Sequence, residues 1–455
     1  MTNRRAFIKK SSFFTLASLV PGLSIYSAPV SAQTTDYKAL VCLFLYGGND
    51  GNNMVIPYSN AGYASYATAR GSQANGGLAL AKNTLIPLQD AFGQANYALH
   101  PGLSPLQQIW QSGQLALLFN AGPLVAPLTR AQYLANAPVP QNLFSHADQQ
   151  IQWQAAGSSS LAHSGWGGRM ADRLDNNAIV LPPMITVATN ALFASGNRAQ
   201  PVTVPASGGL TVNGFQKTVG DTARYLALQQ LISAGLTSSD ALVAAEAAIQ
   251  ADTLSVASTL NPVLSTTSNV LGAIFSKLTD SLSTQLLAVA KLIESRTKMA
   301  APARQIFFVS LGGFDTHTDQ INRQQTLLSQ VGNAVAAFYQ ATVALGVAGQ
   351  VTTFTMSDFA RTLKPNSTRG SDHAWGNHHL IIGGAVKGGF YGSFPSLVLG
   401  ANDDAGTEGR WIPTTSVEEY GATLATWFGY GANAADMLYA FPQLAKFAPV
   451  NLGFV

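Results

Sequence analysis

The sequence predicts an α/β fold with a central, mostly parallel β-sheet, and three short apolar segments support this prediction. Residues 40–46, 306–309 and 351–356 are continuous runs rich in Val, Phe and Ile, as expected of strands buried on both faces. The runs lead into carboxylates at Asp50, Asp315 and Asp358 respectively. Because the carboxyl ends of parallel strands meet along one edge of an open sheet, we expect these carboxylates to lie close together.

Residues 1–32 have the features of an export signal. A twin-arginine signature at residues 4–9 precedes an apolar region at residues 13–26 and a small-residue cleavage signal that ends at Ala32. We predict cleavage after Ala32 by way of the twin-arginine export machinery, and a periplasmic or secreted mature protein. A membrane anchor is the alternative, but a Pro-Gly pair interrupts the short apolar stretch. No later segment predicts a permanent membrane span.

The charge of the mature chain argues against nucleic acid as a partner. Residues 1–32 contain four basic residues and no acid, so their removal takes the net charge from +3 to −1. Nucleic-acid binding needs a basic face that supplies most of the affinity. Cys42 is the only cysteine, so it has no intramolecular disulfide partner and is expected to be a buried thiol.

Residues 33–455 are predicted to form the α/β domain.

The elements between the first two carboxylates follow from local patterns. A Gly/Asn/Asp-rich turn at residues 47–53 follows the first strand, and a second apolar run lies at residues 115–119. A polar helix is predicted at residues 145–154 and a short strand at residues 184–187.

Residues 237–295 are predicted to be a helical insertion that packs on the sheet. Leu242, Ile249 and Leu260 are spaced for one helix face, Pro262 is expected to end that helix, and a second amphipathic run follows. A flexible polar linker is the alternative, because the segment is rich in Ala, Ser and Thr. The sustained apolar period argues against it.

The α/β pattern then returns in the C-terminal part of the chain. Apolar spacing predicts a helix over residues 319–345, between the apolar runs at 306–309 and 351–356. A strand, a crossover helix and a second strand form a βαβ unit, which predicts two parallel, neighbouring strands.

Acidic residues and histidines at two of the strand ends indicate a metal site. Asp50 can supply a hard oxygen ligand, although Asn-Asp-Gly is also ordinary turn chemistry. Asp315 and His317 lie two residues apart, so both side chains face the same way if the chain stays extended. The alternative for this pair is a capped turn that enters the next helix.

A denser group follows the third strand. Asp372 and His373 are followed closely by His378 and His379, a density that favours metal or proton-transfer chemistry. A surface histidine cluster is the alternative. Arg361 offers a planar fork for an anionic group, or a structural bond to the preceding carboxylate Asp358.

Ser145 and His146 begin the predicted polar helix. A hydroxyl group at a helix N-terminus lies in positive potential. Ser145 therefore suits a nucleophile, or alternatively an N-cap that satisfies the helix backbone.

Several motifs together resemble a known family, the exported bacterial proteins called domain of unknown function 1501. The motifs follow the twin-arginine leader in this order: LVCLFLYGGNDGNNMVIP, ALHPGL, SHADQQIQW, SGWGGR, SLGGFDTHTDQ, TMSDFART, GSDHAWGNHH and GGAVKGGFYG. The resemblance covers nearly the whole mature chain. That family is grouped with the alkaline-phosphatase-like superfamily, so the resemblance implies a three-layer sandwich and a site for two divalent metal ions, Zn²⁺, Mn²⁺ or Mg²⁺.

The resemblance also implies roles for individual residues. Asp50 matches the metal carboxylate after the first strand, and Asp315 with His317 matches an Asp/His pair, although the spacing here is shorter than usual. Two counterparts remain open for the next metal carboxylate: Asp358 matches by position and Asp372 by residue type. The resemblance further implies His373 as the late metal histidine, with His378 as its reserve, and Ser145 as the nucleophile. The anion contact expected of Arg361 follows from its planar side chain instead.

Two functions are consistent with the sequence. One is a metal-dependent hydrolase of phosphate or sulfate esters, with a small-molecule or polymer substrate. The other is a non-catalytic exported binding or assembly protein that keeps the fold. Formylglycine sulfatases are excluded, because the residues around Cys42 lack the required Pro and Arg spacing. A carbohydrate-processing enzyme with paired acids rests on generic carboxylates alone.

Overall fold

The computed structural model describes residues 36–90, 92–174, 181–210 and 219–455. The predicted signal peptide and its cleavage site lie outside the described residues. Within the described ranges, no helix has both the length and the apolar character needed to cross a membrane.

The strands belong to one large and one small sheet. They are β1 Lys38–Leu45, β2 Val55–Pro57, β3 Ile86–Gln89, β4 Ala95–Leu99, β5 Leu115–Gly122, β6 Met184–Val187, β7 Val202–Val204, β8 Arg304–Leu311, β9 Val351–Ser357, β10 Asn377–Gly383, β11 Gly389–Gly392 and β12 Thr415–Ser416. The large sheet has the order β11-β5-β10-β9-β1-β8-β6-β7, and β12 also pairs with β5. The antiparallel pairs in it are those that β10 makes with β5 and β9. The small sheet has the order β2-β4-β3.

Along the chain, most helices fall between successive strands. They are α1 Gly51–Met54, α2 Asn60–Arg70, α3 Gln107–Gln111, α4 Arg130–Leu134, α5 His146–Ala155, α6 Trp166–Ala171, α7 Val219–Leu236, α8 Ala241–Ser265, α9 Asn269–Phe275, α10 Ser281–Glu294, α11 Gln320–Ala344, α12 Val417–Phe428 and α13 Ala434–Ala440. The predicted α/β class with a mostly parallel central sheet is confirmed.

Strand β1 lies at the centre of the sheet, parallel to β8 on one side and to β9 on the other. The crossover helix α11 does connect two parallel strands, as predicted. The expectation that β8 and β9 are neighbours is wrong, because β1 lies between them. The physical reason is visible in β1 itself, whose residues after Lys38 are all buried. A strand that is apolar on both faces is best protected in the middle of a sheet.

The side chains of β1 alternate between two hydrophobic cores. Val41 and Leu43 pack in the core that includes α10 and α11. Leu40, Cys42 and Phe44 pack in the core that includes α5, α6 and α12. Helices therefore cover both faces of the sheet, which gives three layers.

The helical segment differs in detail from the prediction. Helix α7, Val219–Leu236, already precedes the predicted start at residue 237, and Pro262 lies inside α8 rather than ending it. Leu242 is 82% exposed, so it does not belong to a buried face, whereas Leu260 and Leu264 are buried. A proline inside a helix costs about 3 kcal/mol, and burial of these two leucines contributes roughly 1.5–3 kcal/mol each. Packing of the last turns of α8 thus outweighs the loss of one backbone hydrogen bond.

Candidate metal centre

The loops after β1, β8 and β9 meet at the carboxyl edge of the sheet. The register pairs Leu45 at the end of β1 with Leu311 and Ser357 at the ends of its neighbours. Gly47 has φ +109°, and a Cβ atom there would lie 2.4 Å from the backbone nitrogen of Asp315. Only glycine lets the first loop come this close in that conformation. The loops that carry the predicted carboxylates therefore come together, as expected for loops at the same edge of a parallel sheet.

Two histidines have their ring orientation set by acceptors at Nδ1. The Nδ1 atom of His317 lies 3.1 Å from Oδ1 of Asp372. The Nδ1 atom of His373 lies 2.7 Å from the backbone carbonyl of Phe144. Both acceptors require a proton on Nδ1, so the Nε2 atom of each neutral imidazole carries a free lone pair.

A third histidine, His146 at the start of α5, has the same arrangement. Its Nδ1 atom lies 2.6 Å from Oδ2 of Asp358, which also accepts a 2.8 Å hydrogen bond from Nε2 of Gln150. The Nε2 atom of His146 is buried and has no hydrogen-bond partner among the described residues. A buried, unpaired nitrogen atom is costly unless a ligand satisfies it.

The three Nε2 atoms converge on one carboxylate oxygen. Oδ1 of Asp315 lies 3.1 Å from Nε2 of His317, 3.5 Å from that of His146 and 3.6 Å from that of His373. The Nε2 atoms of His317 and His373 are only 2.9 Å apart. Since two lone pairs repel at this distance, a proton or a cation is required between them. Ligand atoms of His146, Asp315 and His373 all lie within 4.8 Å of one another, close enough for one metal ion.

Arg361 holds the carboxylate at the centre of this cluster. Its side chain is fully buried, and it donates to Oδ1 of Asp315 and to the backbone carbonyls of Gly47, Gly48 and Ser371. Burial raises the pKa of Asp315, but the hydrogen bond and charge of Arg361 outweigh it, so that pKa lies below its ordinary value. The carboxylate partner of Arg361 is therefore Asp315, not Asp358 as the sequence alternative expected.

Asp358 lies beneath the cluster rather than in it. The carboxylate is buried, and its Oδ1 atom also accepts a 3.1 Å hydrogen bond from the backbone N–H of Gly47. The next residue, Phe359, has its ring centre 4.7 Å from that of His146 and 4.6 Å from that of His373. Asp358 and Phe359 thus fix the positions of two imidazoles. Asp372 likewise supports a histidine, His317.

Asp50 is not brought into the cluster. Its Oδ2 atom accepts from Arg70 and Gln320, and its Oδ1 atom accepts from the backbone N–H of Asn52 at 3.1 Å. The ion pair with Arg70 is fully buried. Burial lowers the pKa of Arg70 to about 9, so the guanidinium remains charged at neutral pH. A guanidinium cation therefore occupies the side of Asp50 where a metal ion was expected.

His378 and His379 lie within β10, also away from the cluster. Both are buried, and burial lowers the pKa of each to about 3. Nδ1 of His378 accepts a 3.1 Å hydrogen bond from the backbone of Asn120, and its ring stacks on Phe394. The ring of His379 packs on Trp153 instead. The density of histidines in the sequence reflects a core strand in this part, because successive strand residues face opposite sides.

Ser145 occupies the N-cap position of α5, but its side chain makes no cap hydrogen bond. Its Oγ atom donates instead to Oδ2 of Asp148 at 2.5 Å. The hydroxyl is therefore hydrogen-bonded to a carboxylate one turn along the helix, and its role as a nucleophile stays a prediction.

His146 is a candidate metal ligand that was not predicted from the sequence. The sequence drew attention to Ser145 next to it, and nothing local connects α5 to a strand end about 200 residues later. The available signal was its position at the first turn of a predicted helix, beside a second chemically active residue.

The residues present fit one cation. Three imidazole nitrogens and one carboxylate oxygen are ligands for Zn²⁺ and other transition metals, and each histidine has a partner that fixes its orientation. The ligand side chains are between 25% and 50% exposed, so the cluster opens to solvent.

The solved structures that match the chain include Ps i-CgsB and a 2-O GAG sulfatase. Ps i-CgsB in complex with k-i-k-neocarrahexaose is 10% identical, and the match covers 90% of this chain and 76% of that chain with a TM-score of 0.32. A 2-O GAG sulfatase is also 10% identical, over 88% of this chain and 72% of that chain, with a TM-score of 0.31. At these scores the function has to be argued from the site. No curated protein matches the chain.

One family model matches most of the chain, including the sequence motifs. The model described as "Protein of unknown function (DUF1501)" matches residues 37–407, a range that runs from β1 past the clustered side chains to the loop before Arg410. The resemblance of the motifs to this family is thereby confirmed, and the chain belongs to the DUF1501 family.

Proposed function

We propose that this protein is a metal-dependent hydrolase of phosphate or sulfate esters that uses a single divalent cation. The cation would be held by His146, Asp315, His317 and His373. The convergence of three Nε2 atoms on one carboxylate oxygen carries this proposal, because each Nδ1 atom already has an acceptor.

The site supports one cation rather than the two expected from the family resemblance. Asp50 is neutralised by Arg70, and Asp358 accepts hydrogen bonds from His146, Gln150 and Gly47. Both oxygens of each of these carboxylates already accept hydrogen bonds, which disfavours a second ion there. A set dominated by imidazole favours Zn²⁺ over Mg²⁺ and Mn²⁺, which prefer oxygen ligands.

The chain's own residues supply orientation and charge. A divalent cation bound here supplies a Lewis acid that polarises an ester oxygen and lowers the pKa of water. Arg361 keeps Asp315 ionised, while Asp358 and the Phe144 carbonyl accept from the Nδ1 atoms of His146 and His373 and so aim their Nε2 atoms into the cluster. We propose that a water molecule attacks the ester. The exposure of the cluster suits an ester that projects from a small molecule or a polymer.

A second function, a non-catalytic binding or assembly protein with a structural metal, is favoured by one observation. Four protein ligands are typical of closed structural sites, whereas catalytic sites usually keep a position open. The two functions differ in what metal removal does: a structural ion stabilises the fold without supporting turnover.

The test begins with metal content, measured by inductively coupled plasma mass spectrometry on the mature protein. We expect about one divalent ion per chain, lost in Asp315→Ala and retained in Asp252→Ala, which removes an exposed carboxylate on α8. Turnover of generic phosphate and sulfate esters is then measured with Zn²⁺, Mn²⁺ or Mg²⁺ added.

Turnover that disappears in Asp315→Ala but not in Asp252→Ala would support the hydrolase. One bound ion without turnover, together with a lower melting temperature after chelation, would favour the structural-metal function. Well-folded protein that takes up no divalent ion on titration would overturn the proposal.

A further inference from the structure

We infer that Arg410 binds the non-reacting oxygens of the phosphate or sulfate group, and so selects anionic esters. This inference rests on the proposed hydrolase function and assigns its substrate-binding residue.

The guanidinium of Arg410 lies next to the proposed metal ligands. Its Nε atom donates a 3.0 Å hydrogen bond to the backbone carbonyl of His373, and its Cζ atom lies 5.4 Å from the ring centre of Phe144. His373 is one of the converging imidazoles, and the Phe144 carbonyl orients it. Arg410 is therefore attached to the same two chain segments that form one wall of the cluster.

The loop that carries Arg410 is organised around a buried carboxylate. Asp404 is fully buried, and its two oxygens accept hydrogen bonds of 2.9–3.0 Å from the backbone N–H groups of Gly400, Gly406, Gly409 and Arg410. The carbonyl of Arg410 in turn accepts from the backbone N–H of Ala405 at 2.9 Å. With its backbone fixed on both sides, Arg410 is preorganised, and binding an anion costs little ordering entropy.

Part of the guanidinium remains available to a ligand. The Arg410 side chain is 28% exposed, and its Nη1 atom pairs with Glu408, itself 39% exposed, at 2.7 Å. An exposed pair of this kind is weak, so an incoming anion can compete with it. The Nη2 atom makes no hydrogen bond to any described residue. A planar fork with free donors suits the bidentate recognition of a phosphate or sulfate group.

Arg361, the other guanidinium at the cluster, cannot take this role. Its side chain is fully buried, and four of its five N–H donors are used by three backbone carbonyls and Asp315. Arg410 is thus the cation at this wall that combines exposure with a fixed position.

The experiment compares Arg410→Ala and Arg410→Lys with wild type and with Lys364→Gln. Lys364 is exposed, and its backbone N–H bonds to the carbonyl of Glu408 at 3.0 Å, so this control removes a nearby positive charge without touching the fork. We measure kcat and KM for the best ester, the inhibition constant of inorganic phosphate, and metal content.

We expect Arg410→Ala to raise KM and the phosphate inhibition constant by about 10- to 100-fold, the effect of one or two charge-assisted hydrogen bonds. Metal content and kcat should change little, Arg410→Lys should recover part of the affinity, and Lys364→Gln should match wild type. A fall in metal content would instead indicate a merely structural role for Arg410 and overturn the inference.

Two further outcomes separate this inference from the proposed function. If wild type hydrolyses esters and Arg410→Ala has the same KM and inhibition constant, the inference fails while the hydrolase stands. If wild type hydrolyses nothing, isothermal titration of inorganic phosphate into metal-loaded protein decides. Binding by wild type that is lost in Arg410→Ala supports the anion-binding role, and equal or absent binding in both overturns it.

Discussion

Replacement of Asp358 by Asn tests whether the buried carboxylate fixes His146 for metal binding. The carboxylate accepts three hydrogen bonds, from Nδ1 of His146 at 2.6 Å, Nε2 of Gln150 at 2.8 Å and the backbone N–H of Gly47 at 3.1 Å. An Asn side chain has one acceptor oxygen, so its NH₂ group must face at least one of these donors. His146 then loses its charged partner or its orientation.

The expected loss is about 10- to 100-fold in metal affinity, the range seen when the partner of a ligating histidine is removed, which corresponds to roughly 1.4–2.7 kcal/mol. Competition with a chromogenic zinc chelator at neutral pH measures the affinity, and thermal unfolding of the metal-free protein checks the fold. Asp252→Asn, an equal change at an exposed position, serves as control. Equal affinity of Asp358→Asn and wild type would refute the role assigned to Asp358 and His146.

Three further changes address stability and the approach of the loops. Burial raises the pKa of Glu418 to about 7, above the ordinary value that it has when unfolded. The free energy of unfolding of the wild-type protein therefore falls as the pH rises toward 7. Glu418→Gln should be more stable than wild type by up to about 3 kcal/mol above pH 7 and equally stable below about pH 4. Urea unfolding at both pH values measures the difference, and an equal difference at both would contradict the prediction. Arg70→Met leaves the buried Asp50 unpaired and should cost about 3–5 kcal/mol in urea unfolding, whereas an unchanged midpoint would show that the pair is dispensable. In Gly370→Ala the new Cβ would lie 2.2 Å from the backbone carbonyl of His317, so metal affinity should fall in the chelator assay, and wild-type affinity would show that the loop tolerates the shift.

Features that depend on neighbours in sequence were predictable. The glycines before Asp50, the strands that lead to the three carboxylates and the extent of helix α11 all follow from local composition and period. Residues 319–345 correspond closely to α11 with its two cap residues. Because parallel strands end at a common edge, the meeting of Asp315 with the residues after β9 was predictable as well.

Features that depend on distant partners were not. Nothing near Asp50 in the sequence indicates that Arg70, on another helix, would neutralise it. His146 meets Asp358 only because α5 packs across the end of β9, a contact that no local pattern encodes. Conversely, the local density of histidines suggested His378 as a ligand, whereas its side chain packs beside Phe394.

The central position of β1 has a consequence for the order in which the molecule is made. The strand nearest the N-terminus leaves the ribosome first, yet its two partners are residues 304–311 and 351–357. At about 5–20 residues per second, β1 waits for tens of seconds before its neighbours exist. Pairing over such separations is slow, and until it occurs the loops that carry the clustered histidines have no common edge. An unfinished chain thus has no assembled cluster that could bind a cation. Under the proposed function, metal binding would require that synthesis has passed β9 and the loop that follows it.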